Sequence, residues 1–108
     1  MGSSATTTID LAVTPDRAVA AVQRVVADNR FTPGEPSPDG HVVAFRTRKT
    51  MLSWELDAVA TVTEAGAGSR VELTVDTAPG RPKALLDGKK NRKSVEKLAA
   101  QVEAAATA

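Results

Sequence analysis

Cysteine and tyrosine are absent from the 108 residues, histidine occurs once, and aromatic residues make up only 3%. Without cysteine there is no disulfide, no thiolate nucleophile and no cysteine-bound zinc, a composition that suits a cytoplasmic protein. His41 has no second histidine to share a metal or a proton relay, and metal sites need several ligands at set spacing. Neither HExxH nor a DxDxDG calcium loop is present, and there is no nucleophile elbow. The Gly66-Ala67-Gly68 segment lacks the lysine and following helix of a phosphate loop. No apolar run reaches the ~20 residues needed to span a bilayer, and no secretory leader is visible. Met1-Gly2-Ser3-Ser4-Ala5-Thr6 formally fits a myristoylation pattern, but residues 1–5 read as a flexible leader or tag remnant. These absences leave no cofactor and no metal to expect, and point away from an enzyme.

What is present is ordinary for one globular domain, here residues 6–106: 42% hydrophobic and 25% charged residues. With few aromatics, the core has to be built from Val, Leu and Ala. The net charge is +1, unevenly spread. Residues 1–80 carry 7 Lys/Arg against 10 Asp/Glu, a net of −3, and residues 81–108 carry 7 against 3, a net of +4. The densest basic run is Lys89-Lys90-Asn91-Arg92-Lys93. It suits an anionic partner, yet it holds no aromatic for base stacking. The chain's pI of about 8.1 lies below the usual nucleic-acid footprint, so nucleic acid is not the expected partner.

The chain is organised around Trp54 to Thr77. Trp54, Leu56, Ala58, Ala60 and Val62 share one face of a strand, and Glu55, Asp57, Val59, Thr61 and Thr63 share the other. After Ala65-Gly66-Ala67-Gly68, the apolar Val71, Leu73 and Val75 alternate with Glu72, Thr74 and Asp76. A period of two with one apolar face predicts half-buried antiparallel strands, and glycine supplies the turn. Upstream, His41 to Lys49 alternates in the same way. A turn at residues 50–53 sets its register: Val43 faces Ala60, Phe45 faces Ala58, Thr47 faces Leu56, Arg46 faces Asp57, Arg48 faces Glu55 and Lys49 faces Trp54. Across the hairpin, Val62 meets Val71, Ala60 meets Leu73, Ala58 meets Val75, and Asp57 stands opposite Asp76.

Thr6 to Val13 reads as a first strand. Thr14-Pro15-Asp16 then reads as a helix start, with Thr14 as cap and Pro15 in the first turn. That helix carries Val19, Val22 and Val26 on one stripe, widened by Ala18 and Val25, and stops at Asn29. The three prolines of residues 31–40 allow a short edge strand or a stiff loop. Lys83 to Ala106 reads as a long helix with Leu85, Gly88, Val95, Leu98, Ala99 and Val102 on one stripe. Its phase is kept across Gly88, which favours a continuous helix over a restart capped by Ser94.

The fold class is therefore α+β: an antiparallel sheet of about five strands in the order β-α-β-β-β-β-α, with the long C-terminal helix packed on one face. The Trp-Glu-Leu-Asp strand of the meander and the Gly-Arg-Pro-Lys-Ala-Leu-Leu lead-in to the last helix resemble the START/Bet v 1-like (SRPBCC) helix-grip proteins in a short form. The element order is similar, too, to the half-repeat of TATA-binding proteins. The helix-grip resemblance implies a small hydrophobic ligand held between sheet and C-terminal helix. Phe45, Trp54, Leu56, Ala58, Ala60, Leu73, Val75, Leu85 and Val102 would line its site. The small Ala58 and Ala60 leave space there for a ligand or for a closely packed helix. The alternative is an interaction module, monomer or homodimer, that meets an anionic partner through Lys89, Lys90, Arg92 and Lys93 or uses the edge near Phe31 to Pro36.

Overall fold

A computed structural model describes residues 4–35, 37–48, 55–77 and 87–107, with side chains in the last helix described from residue 90 onward. The elements are β1 (Ala5–Leu11), α1 (Pro15–Asp28), β2 (Thr32–Pro33), β3 (Val42–Arg46), β4 (Leu56–Ala65), β5 (Gly68–Thr77) and α2 (Asp87–Thr107). They form one antiparallel sheet of five strands in the spatial order β1-β5-β4-β3-β2. This is the α+β arrangement that the alternation predicts.

The long hairpin takes the expected register, with Val62 opposite Val71, Ala60 opposite Leu73, Ala58 opposite Val75 and Asp57 opposite Asp76. Val43, Phe45 and Arg46 pair with Ala60, Ala58 and Asp57. Thr47 continues the ladder through its amide to the Leu56 carbonyl at 2.9 Å, while its hydroxyl accepts from the Leu56 amide at 2.8 Å. The Lys49–Trp54 pair lies outside the described residues. A slip of one residue would turn the whole apolar set toward water. Burial of Val71, Leu73 and Val75 to 0% exposure is what holds this register.

β1 completes the sheet by pairing along β5, from Ala5 opposite Val75 to Leu11 opposite Ser69. It begins at Ala5, one residue before the expected start, because Ala5 is buried in the core. Its far end crosses closely over the hairpin turn: a Cβ on Gly68 would stand 2.1 Å from the Leu11 carbonyl oxygen. No side chain fits there, so the position requires glycine.

Both helices lie on the inner face, side by side. α2 packs over β1 and β5, whereas α1 packs over β3, β4 and β5. Thr14 caps α1 by accepting from the Arg17 amide, and the buried Ala18, Val19, Ala21, Val22, Val25 and Val26 face the sheet. α2 runs unbroken from Asp87, through Gly88 and past Ser94, so the apolar phase and not the candidate cap decides its course. Val95, Leu98, Ala99, Val102 and Ala106 form its buried stripe. None of the helices is long and apolar enough to cross a membrane, among the described residues.

The outer face carries polar ladders. Arg46 holds Asp57 at 2.7 Å, which offsets the opposed Asp57 and Asp76. Arg70 holds Asp10 at 2.8 Å, and that hydrogen bond keeps the Asp10 carboxyl below its ordinary value of 3.8. A depressed native-state pKa adds stability that is complete above the unfolded-state value and is lost as pH falls through the folded one. The stability gap between wild type and Asp10→Asn in urea melts is expected to be largest near neutral pH. It should shrink once pH drops below about 4. Gly68→Ala is expected to cost about 1–3 kcal/mol in the same assay through its clash with Leu11.

Candidate functional site

Seven of the nine residues expected to line a ligand site are described, and the fold does bring them together. Phe45 from β3, Leu56, Ala58 and Ala60 from β4, Leu73 and Val75 from β5, and Val102 from α2 all belong to one buried cluster. Trp54 and Leu85 lie outside the described residues. The helix over Ala58 and Ala60 is α1, not the C-terminal helix. Ala60, Leu73 and Val75 are 0% exposed and Ala58 is 2% exposed, so these atoms meet other atoms and no water-sized gap. Small residues at the middle of β4 are what let α1 and the Phe45 ring come close.

Open volume lies one step away, where the C-terminal half of α1 overhangs the β2–β3 edge. The helix ends there through a specific backbone turn. Asn29 is the last near-helical residue and Arg30 takes a left-handed φ of 57°. The Arg30 amide donates to the Ala27 carbonyl at 3.1 Å and the Phe31 amide to the Val26 carbonyl at 2.9 Å. This pair of bonds is the Schellman motif, which brings the residue after the turn against the last helical turn. The Asn29 side chain adds bonds to the Val25 carbonyl at 2.8 Å and to Gln101 Oε1 at 3.0 Å, tying this end of α1 to α2.

The turn delivers Phe31 onto Phe45, ring centroids 5.7 Å apart and planes 7° from parallel. Beside Phe31 opens a groove of about 400 Å³, walled by Val26, Ala27, Phe31, Pro33, Val42, Val43 and Ala44, with Gln23, Gly34, Glu35 and Gly40 completing its lining. Gly34 lies flat on β3, donating its amide to the Ala44 carbonyl at 2.8 Å; a Cβ there would press on Ala44 at 3.2 Å. The following loop is pinned by the Ser37 hydroxyl, which accepts from the Val42 amide at 3.1 Å and donates to Asp39 at 2.7 Å. The His41 amide also donates to Asp39, and it is the main cause that holds the Asp39 carboxyl below its ordinary value. These bonds and Pro33 blunt the β2 edge, the edge considered above as an interaction surface. His41 is half-exposed and has a partner that sequence spacing does not reveal: its Nε2 lies 3.6 Å from Asp16 Oδ1 at the start of α1.

The basic run divides by role. Lys90 and Lys93 are exposed. Arg92 instead donates through Nη1 to the Thr6 carbonyl at 2.6 Å, on the edge of β1. Asn91, in the midst of these charges, is 4% exposed and reaches Thr77 Oγ1 at 3.5 Å. The side chain of Lys89 lies outside the described residues. No group of three or more His, Cys, Asp or Glu side chains could hold a metal ion among the described residues.

No family model matches the chain, and no curated protein matches it in sequence. Among solved structures it is similar to Ara h 8.0201, a Bet v 1-family allergen, with a TM-score of 0.53 over 96% of this chain and 97% of that one, at 9% identity. The likeness supports a Bet v 1-like α+β fold.

Two substitutions distinguish the packed interior from the open groove. Ala58→Phe is expected to lower stability by about 1–3 kcal/mol, because no space waits for the ring. Ala27→Trp, at an exposed position on the groove wall, should change the stability measured in urea melts by no more than about 0.5 kcal/mol.

Proposed function

We propose that the chain is a non-catalytic binding domain that takes a small hydrophobic ligand against the inner side of its sheet. The observation that carries this reading is the apolar groove of about 400 Å³ ending on the Phe31–Phe45 stack. Its volume falls within the roughly 300–1,000 Å³ of small-molecule sites, and its walls are mainly apolar with a few polar groups at hand, as such sites require. The Bet v 1-like fold supports it by presenting an antiparallel sheet beneath helices.

Phe31 stands between the groove and the interior. Behind it lies Phe45, stacked on its ring, and then the packed core. Ligand contact begins at Phe31 and Val43, which are only partly buried. The alternative, an anionic partner at the basic run, draws less support from the geometry, since Arg92 already secures the β1 edge.

A neutral probe, 2-(1-naphthyl)ethanol, tests the reading by titration into the labelled full chain. Amide shifts are expected to concentrate at Val26, Ala27, Phe31 and Val43. Phe31→Ala and Ala27→Trp should each weaken binding about tenfold or more, at unchanged circular dichroism, given the stacking area lost or the volume filled. Shifts scattered away from these residues, or affinity indifferent to both substitutions, would sink the proposal.

A further inference from the structure

The groove has a sign. Among the described residues, Glu35 is its one ionisable lining residue, and no Lys, Arg or His lines it. The wall opposite is the C-terminal half of α1, through Gln23, Val26 and Ala27. A helix C-terminus carries about half a negative charge, but here the Arg30 guanidinium follows the Asn29 cap directly and offsets it. Arg24 pairs with Asp28 at 3.6 Å and Arg46 with Asp57 at 2.7 Å on the outer face, while the exposed Arg30 follows the helix end and is not part of the groove's lining. An apolar floor thus lies beside one full carboxylate, with no cation among its described lining residues.

Resting on the groove as the ligand site, we propose that it selects cationic amphiphiles: an apolar, preferably flat body on Phe31 with an ammonium or similar cation directed at Glu35. Fatty acids and other carboxylates are disfavoured at the same place, because their charge meets the like charge of Glu35 and no counter-ion among the described lining residues. Apolar contact supplies the affinity, and the field sorts ligands of equal shape. Glu35 is exposed, so its contribution is modest and screened by salt.

The experiment uses three probes of one skeleton on the full chain at neutral pH: 2-(1-naphthyl)ethylamine, 2-(1-naphthyl)ethanol and 1-naphthylacetate. The expected order is amine, then alcohol, then carboxylate, with amine and carboxylate about threefold to tenfold apart. Glu35→Gln should narrow that gap, and raising salt to about 0.5 M should narrow it in the wild type. A carboxylate that binds as well as the amine, or a gap that survives Glu35→Gln unchanged, overturns the charge preference and leaves the apolar site standing. Failure of all three probes to shift the groove residues overturns both.

Discussion

The pairing of β4 with β5 is the constraint on which the rest depends. Ten residues on each strand fix one face as Leu56, Ala58, Ala60 and Val62 against Val71, Leu73 and Val75. Every other element is placed by reference to that face. β1 lies along the free side of β5, and its passage over Gly68 leaves no room for a side chain at the turn. β3 lies along the free side of β4, and brings Phe45 over Ala58. Apolar burial on one side makes the register unique, so the turn at Gly66 and the charge pairs outside have only to be compatible with it.

The two helices then divide the inner face between them. Ala58 and Ala60 are small because α1 and a phenylalanine ring share the space above them, and density there is high. The division leaves α1's C-terminal half overhanging a sheet edge only two residues wide. An overhang of that kind cannot close by itself. The groove beside Phe31 is the geometric remainder of covering five strands with two helices.

Strand register was legible in the sequence because alternation and charge are local and repetitive: Val43, Phe45 and Arg46 could be aligned on paper with Ala60, Ala58 and Asp57. That α2 does not restart at Ser94 was legible from phase alone. Which helix covers β4 was not, since an amphipathic stripe says that a helix is buried and not what it is buried against. The groove escaped notice because Phe31 sits among prolines, and because the left-handed turn that aims it is made by Arg30, a residue with none of glycine's signal. Asn91 was hidden in a basic run that reads as solvated, and the His41–Asp16 pair joins residues 25 apart with no pattern between them.

The strand order β1-β5-β4-β3-β2 also has a temporal side. β3, β4 and β5 follow one another in the chain, so their ladders close short loops and lose little chain entropy. β1 must find β5 across about two thirds of the chain, Ala5 reaching Val75, and the Arg92 bond to Thr6 closes a longer span still, 86 residues. The natural order of assembly is therefore a meander first, with the N-terminal strand and the C-terminal helix closing together as one late event. Until that closure, the inner edge of β5 stands open, and the N-terminal segment is the piece of chain whose arrival seals it.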